Sequence, residues 1–286
     1  MKSFKYLLAF VALCWAFNDA TAQLRTRYFY VGVALGATNY KGDLDDNFTL
    51  KFTKPGLGFI GGYKFTPHMS ARLTLNQGWM GASDAKAARD IPRRRRNLSF
   101  RSPLSEAALT FVYEFFANNR KFQYRPTYTP YIFGGVSVFA FNPQGKLDDT
   151  WYDLQPLGTE GQNLGDNCGY PDCPDPYALV NVAIPFGVGL RYRLTDKIDI
   201  SAEIGLRKTF TDYLDDVSGQ YADYEALYAQ NPTAALLSDR IDRAVYPQGG
   251  RFWNGIRGDN TQQDWYVISM ISATYILDWV KCPKFR

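Results

Sequence analysis

Residues 182–194 read VAIPFGVGLRYRL and residues 197–210 read KIDISAEIGLRKTF, with only Thr195 and Asp196 between them. In the first run Val182, Ile184, Phe186, Val188, Leu190 and Tyr192 share one face, opposite Gly187, Gly189, Arg191 and Arg193. In the second, Ile198, Ile200, Ala202, Ile204 and Leu206 oppose Asp199, Ser201, Glu203, Gly205 and Arg207. A period of two is the signature of a β-strand, and two such runs joined by two residues predict an antiparallel hairpin. Both runs exceed the usual strand of a soluble sheet but suit a tilted strand crossing a bilayer.

The pattern continues outward in both directions. In Tyr28 to Gly36, Phe29, Val31, Val33 and Leu35 oppose Gly32, Ala34 and Gly36; in Pro55 to Phe65, Leu57, Phe59, Tyr63 and Phe65 share a face. Met69 to Trp79 sets Ala71, Leu73, Leu75 and Trp79 against Ser70, Arg72, Thr74 and Asn76. Pro103 to Phe116 sets Ala107, Leu109, Phe111, Tyr113 and Phe115 against Glu106, Ala108, Thr110 and Glu114. Tyr128 to Phe141 is apolar on both faces, which leaves its orientation open. Asp264 to Val280 aligns Trp265, Val267, Ile271, Ala273, Tyr275, Leu277 and Trp279.

The connections alternate in length. Thr66 to His68, Ala117 to Thr127 and Thr195 to Asp196 are short; those near 38–54, 81–102, 142–181 and 211–263 are long. The expectation is an all-β protein, an eight-stranded antiparallel transmembrane barrel of the outer membrane, with long extracellular loops and both termini in the periplasm. Composition fits: 16% of residues are aromatic, with 20 Tyr and 20 Phe, as girdles at two membrane interfaces require. A mean hydropathy of −0.29 and no 18-residue apolar run past the N-terminus exclude a helical membrane protein. The net charge of +4 provides no general field for nucleic acid.

The N-terminus reads as an export signal. Lys2 and Lys5 precede an apolar stretch from Leu7 to Phe17, and Ala20-Thr21-Ala22 supplies a cleavage pattern, so residues 1–22 are expected to be removed and 23–286 to form the barrel domain. Cys14 leaves with the signal. Of the remaining cysteines, Cys168 and Cys173 flank Gly169 and Pro171 and are spaced for an intraloop disulfide rather than a metal site, which would lack ligands. Cys282, in the tail 281–286, is left either as a free thiol near the chain end or for an intermolecular disulfide.

Eight strands enclose an interior that side chains can fill. Arg72, Glu106, Glu114, Arg191, Arg193, Glu203 and Arg207 all fall on the predicted lumen face, where opposite charges can neutralise one another. A charged plug is the structural reading; a proton or ion path is the alternative. The loops are also segregated by charge. Gly81 to Ser102 contains Lys86, Arg89, Arg93, Arg94, Arg95, Arg96 and Arg101 against Asp84 and Asp90, whereas Asn142 to Val180 is strongly acidic. These loops can dock on each other, or Arg93, Arg94, Arg95 and Arg96 can contact an external anion such as lipopolysaccharide phosphate. In the last loop, Asn231-Pro232 followed by Ala234, Leu237, Ile241 and Ala244 predicts a helix that caps the barrel or binds a partner.

Nothing predicts catalysis. His68, the single histidine, falls in a tight turn beside Pro67, away from the long loops, where a hydrolytic base has no use. Asp45-Asp46 and Asp215-Asp216 lack the spacing of a calcium motif, and no cofactor-binding or metal-binding pattern is expected.

Several segments together resemble one family. They are Gly36 to Leu44 (GATNYKGDL), Asn97 to Glu106 (NLSFRSPLSE), Thr129 to Gly135 (TPYIFGG), Phe141 to Gln144 (FNPQ), Gln155 to Gln162 (QPLGTEGQ), Ile184 to Leu190 (IPFGVGL), Arg207 to Ser218 (RKTFTDYLDDVS) and Cys282 to Phe285 (CPKF). Spread over nearly all of the mature chain, they are similar to the PorG-like outer-membrane barrels of the type IX secretion system, with 155–162 and 207–218 the most specific. The resemblance implies a non-enzymatic component that ties a periplasmic ring, built from a PorK-like lipoprotein and a PorN-like protein, to the outer membrane. It also implies that Cys282 faces that ring, where a mixed disulfide with the lipoprotein is the expectation. The competing readings are a stand-alone surface barrel whose loops bind lipopolysaccharide or another ligand, a barrel hydrolase and a channel.

Overall fold

The computed structural model describes residues 26–45, 50–86, 91–118, 121–242, 244–245, 249 and 255–277. The predicted signal peptide and Cys282 with its tail lie outside the described residues. Ten strands form one sheet: β1 Tyr28–Lys41, β2 Lys54–Lys64, β3 Met69–Ser83, β4 Ser99–Glu114, β5 Tyr128–Phe141, β6 Gln144–Leu147, β7 Thr150–Asp153, β8 Val180–Arg193, β9 Ile198–Thr209 and β10 Trp265–Leu277. All neighbours run antiparallel. Eight of the strands close into a barrel, because β10 returns to pair with β1 along its length, from Phe29 opposite Leu277 to Lys41 opposite Trp265. The short β6–β7 hairpin stands on the long-loop end, attached to β4 through Arg101 and Gln144.

The alternation read from sequence is the in–out alternation of the wall. Phe29, Val31, Val33 and Leu35 point outward and exposed, as do Leu73 and Leu75, Leu109 and Phe111, Val188 and Leu190, and Ile271 and Tyr275. With no edge left unpaired, the wall satisfies its backbone internally, which lipid demands.

Strand lengths depart from the sequence expectation at the long-loop end. β1 runs past Gly36 to Lys41 because Ala37 to Lys41 find partners in Trp265 to Ser269, and β4 begins at Ser99 rather than Pro103, paired there with Ser83. The ambiguous strand β5 also resolves. Tyr131 and Phe133 point inward, Ile132, Val136 and Val138 outward. The cause lies across the ladder: Tyr131 stands directly opposite Gly189, and Phe133 opposite Gly187. A Cβ on Gly189 would lie 2.3 Å from Tyr131 Cζ, so the ring needs the bare backbone beneath it. Tyr30 makes the same use of Gly62 between β1 and β2.

The loops carry three short helices, α1 Ile91–Arg96, α2 Tyr224–Gln230 and α3 Pro232–Ser238. α3 starts as predicted, with Asn231 Oδ1 accepting the Thr233 and Ala234 N–H groups. It stops at Ser238, short of the predicted Ile241. α2 was not foreseen, although Asp223 is its N-cap and accepts the Ala226 N–H at 3.1 Å.

Candidate functional site

The lumen is a stack of paired charges. Nearest the short turns, Glu114 on β4 takes both the Lys64 ammonium and the Arg191 guanidinium. One layer up, Arg72 Nη1 meets Glu203 Oε2 at 2.6 Å, and Tyr131 donates to the same carboxylate at 3.0 Å. Above that, Glu106 accepts Arg207 Nε at 3.1 Å, Tyr266 Oη at 2.7 Å and Asn76 Nδ2 at 2.8 Å. Each carboxylate meets a cation and further donors, the condition under which a buried charge is tolerable. The geometry fills the barrel instead of opening it.

Of the predicted lumen residues, Arg72, Glu106, Glu114, Arg191, Glu203 and Arg207 make these contacts. Arg193 does not: it sits past the last layer, and its Nη1 donates to the Gln123 carbonyl at 2.7 Å in the β4–β5 turn. Three charges complete the set that sequence reading left out, namely Lys64, Arg125 and Asp199. Lys64 is 1% exposed at the last position of β2, where a turn residue and a lumen residue look alike.

Arg125 closes the short-turn end. Its Nε and Nη2 reach Asp199 at 3.0 and 2.6 Å, Nη1 donates to the Phe122 and Asp196 carbonyls at 2.7 and 2.6 Å, and Nη2 also donates to Thr195 at 3.0 Å. All five donors of the guanidinium are used. The β4–β5 and β8–β9 turns are thereby held together across the barrel mouth. His68 lies at the same end, its Nδ1 2.7 Å from the Glu114 carbonyl and its ring stacked on Tyr113.

The opposite mouth is covered by a polar cap built from loops distant in sequence. Its centre is Arg257, 2% exposed, whose Nη1 meets Glu160 Oε1 at 3.0 Å and the Asp216 carbonyl, and whose Nε donates to Ser238 O at 3.3 Å. Glu160 further accepts the Ser218 and Gly219 N–H groups; Asp216 accepts Thr159 Oγ1 and, at 2.6 Å, Tyr177 Oη. Glu160 and Asp216 come from the two segments, 155–162 and 207–218, that carried the family resemblance most specifically. Their common partner, Arg257, carried no such signal.

Beneath them Tyr40 Oη lies 2.6 Å from Asp215 Oδ2 and 3.1 Å from Asp264 Oδ1. A tyrosine donates one hydrogen, so the second contact places a proton on one of the carboxyls. Burial agrees, raising both Asp215 and Asp264 well above the carboxylate range, with Asp43 adding to the first and Asp215 to the second. Burial likewise raises Asp43 and Asp216 to about 6 and Asp212 to about 8. The cap holds more carboxyls than its guanidiniums balance.

The loop arginines divide. Arg96 is claimed internally: its Nε and Nη2 bind Asp84 at 2.8 and 2.9 Å, and Nη1 donates to the Arg257 carbonyl. It is therefore no surface anion ligand, because the chain folds it back under the loop. Arg94 and Arg95 lie exposed on α1, and the Arg93 side chain is outside the described residues. The basic loop meets the acidic one through Arg101, which covers the Trp151 ring at 3.8 Å and donates to Gln144, and through Ser102, whose Oγ accepts the Asn142 N–H at 3.0 Å. The acidic loop's Glu160 finds its cation in the last loop instead. Cys168 and Cys173 are joined, with Cα atoms 5.9 Å apart, and the Cys168 carbonyl accepts the N–H of Asp223, the α2 cap.

The outer membrane protein beta-barrel domain model matches residues 7–227. No curated protein matches the chain. Among solved structures it is similar to Neisserial surface protein A, at 9% identity over 86% of this chain and 96% of that one with a TM-score of 0.41. It is also similar to Ail, the attachment invasion locus protein of Yersinia pestis, at 9% identity over 88% and 97% with a TM-score of 0.38. A third is OprG from Pseudomonas aeruginosa, at 12% identity over 91% and 99% with a TM-score of 0.36. With a family match spanning well over half its length and eight strands closed on themselves, this chain belongs to the outer membrane protein β-barrel domain family and is a protein of the outer membrane.

Proposed function

We propose that this chain is a non-enzymatic anchor, tying a periplasmic ring of PorK-like lipoprotein and PorN-like protein to the outer membrane. The observation that carries the reading is the closed interior. Ion pairs fill the lumen, Arg125 locks one mouth and the Arg257 cluster covers the other, so the outer wall, turns, loops and tail are left to act. The secretion role itself rests on the resemblance of 155–162 and 207–218 to PorG-like barrels, and the burial of Glu160 and Asp216 gives those segments a structural reason to be kept. In this reading the long loops are extracellular and the short turns and tail periplasmic. Cys282 then follows Leu277, the last residue of β10, on the ring side. His68, bonded to the Glu114 carbonyl at the short-turn end, has no part in chemistry.

The test is extraction in mild detergent followed by affinity purification and non-reducing electrophoresis. Ring proteins should co-purify, and a higher band should vanish in Cys282→Ser. A lone monomeric barrel with no Cys282-dependent band overturns the proposal. Such a monomer would favour the second reading, a surface barrel that binds lipopolysaccharide through Arg94 and Arg95, which α1 presents to solvent.

A further inference from the structure

The short-turn end gathers its cations around one knot of contacts. Phe122, on the β4–β5 turn, packs its ring edge-on against Tyr28 at 6.0 Å, and its carbonyl accepts Arg125 Nη1 at 2.7 Å. Arg125 in turn holds the Asp196 carbonyl of the β8–β9 turn at 2.6 Å. Tyr28, Phe122 and Asp196 each have a cation next to them in the chain: Arg27 precedes Tyr28, Lys121 precedes Phe122 and Lys197 follows Asp196. Arg27 and Lys121 are exposed and Lys197 is half-buried; among the described residues no carboxylate pairs with any of the three. Arg193 adds a further charge, since its Nη1 donates to a carbonyl, that of Gln123. Against these four cations the described residues of this end expose one carboxylate, Asp196, so 4 − 1 gives +3. The long-loop end has the opposite sign, with Asp148, Asp149, Asp153, Asp166, Asp172 and Asp175 all exposed on the acidic loop.

The basic face lies over the barrel mouth. In the closed strand order β1 and β5 stand four places apart among eight, on opposite sides of the lumen. Tyr28 is buried on the inner face of β1, so Phe122, which precedes β5, reaches it only by crossing the mouth. Lys121 is carried there with it, away from the rim that lipid headgroups meet. Tyr124, on the same turn, is 65% exposed and offers an apolar surface beside the charges. The face is also preformed. Arg125 uses all its donors to hold the β4–β5 and β8–β9 turns, and the Asn118 N–H donates to the Pro67 carbonyl at 3.2 Å, which ties in the β2–β3 turn. A face already ordered in the free protein loses little freedom on binding. The chain leaves the barrel beside it: the Lys197 carbonyl accepts the Ile276 N–H at 2.8 Å, one residue before β10 ends at Leu277.

We propose that Arg27, Lys121 and Lys197 dock an acidic segment of a periplasmic protein over the short-turn mouth of the barrel. The inference rests on the anchoring reading for the identity of that protein, the ring, and adds the chemistry of the contact. Charge complementarity selects the end as well as the partner, because the same segment is repelled by the exposed carboxylates of the long-loop end.

The test measures poly-L-glutamate binding to the full chain in neutral detergent, and ring retention through a rising salt gradient. Neutralising one exposed charge typically weakens an ion pair about threefold, so Arg27→Gln with Lys121→Gln and Lys197→Gln should weaken poly-glutamate binding about 30-fold. The triple variant should also release the ring at lower salt than wild type, since exposed charges are screened. Arg27→Lys with Lys121→Arg and Lys197→Arg should retain both properties. Lys54→Gln with Lys146→Gln and Lys208→Gln removes the same charge from the long-loop end and should change neither. Poly-glutamate binding by the folded triple variant within about threefold of wild type overturns the proposal. Release of the ring at the same salt from wild type and triple variant also overturns it, and leaves the anchoring reading standing. A wild type that binds poly-glutamate through these cations yet retains no ring overturns the anchoring reading alone. Displacement of poly-glutamate by phosphatidylglycerol at a lower concentration of charge assigns the cations to lipid headgroups and overturns the proposal.

Discussion

Replacing Arg257 with methionine removes the central cation of the cap and leaves Glu160 and Asp216 buried at 1% and 0% exposure. Breaking a buried ion pair by deleting one partner typically costs about 3–5 kcal/mol. Here the lower end applies. Glu160 keeps the Ser218 and Gly219 N–H donors, and Asp216 keeps Thr159 and Tyr177. A loss of about 3 kcal/mol raises the local opening constant about 150-fold. Hydrogen exchange of the detergent-purified barrel reads this directly, since amide protection follows local opening. Peptides over 158–164 and 213–222 should lose about two decades of protection at pH 7, while β8 and β9 keep theirs. Lowering the pH to 5.5 should restore part of the loss, because Asp216, which titrates near 6, can then shed its charge. Protection within threefold of wild type in the cap peptides would refute the role given to Arg257.

Four further outcomes follow from the same geometry. Arg125→Ala should free the β4–β5 and β8–β9 turns from each other, seen as proteolytic nicking near 119–127 in a barrel that still migrates as folded; uncut turns refute the lock. Gly189→Val should place a side chain into Tyr131 and cost about 1–3 kcal/mol, measured as a lower temperature for loss of the folded electrophoretic form. Asp43, Asp216 and Asp212 titrate higher in the folded cap than the unfolded value near 3.9. The folded cap therefore binds the extra protons, and its stability is complete below about pH 4 and declines as pH rises through about 6 and then about 8. Exchange at 211–218 that slows with rising pH, after correction for intrinsic rates, contradicts this sign. Cys173→Ser opens a loop of a few residues and should cost the cap about 2 kcal/mol, with faster exchange at the start of α2; unchanged exchange there refutes the coupling through Asp223.

The wall was legible because two solvents act on alternate residues. Lipid selects Val188 and Leu190; the tight lumen selects Gly187, Gly189 and Arg191, and a period of two separates them without any tertiary information. The same parity placed Arg72, Glu106 and Glu203, but it carries no information about where the lumen ends. Arg193 has the parity of Arg191 and lies beyond the mouth, while Arg125 belongs to a turn, where parity assigns no face. β5 was ambiguous for a related reason: Tyr131 and Phe133 are apolar residues on the inner face, and only their opposition to Gly189 and Gly187 explains why they fit there. The cap was the least legible part. Glu160 comes from one loop and Asp216 and Arg257 from distant parts of another, with sequence gaps of 56 and 41 residues by subtraction, so no local pattern links them. In the same way Arg96 is indistinguishable from Arg94 and Arg95 until the fold turns it onto Asp84.

The two mouths are closed by the same side chain used differently, and the difference bears on what each end can do. Arg125 places most of its donors on carbonyls, which do not titrate, and its single carboxylate partner is Asp199. Three of its five donors thus meet partners that protonation does not alter. Arg257 instead balances carboxyls in a cluster where Asp43, Asp212, Asp215, Asp216 and Asp264 are all displaced upward, so the cap's cohesion depends on how many protons it holds. A permanent attachment is served best by contacts that protonation does not alter, and the carbonyl contacts of Arg125 lie at the short-turn end. Under the anchoring proposal the ring should therefore bind that end with an affinity independent of pH between about 6 and 8, while loop accessibility changes over the same interval. Parallel pH dependence of ring retention and loop exchange would place the attachment on the cap and reverse the proposed orientation of the two ends.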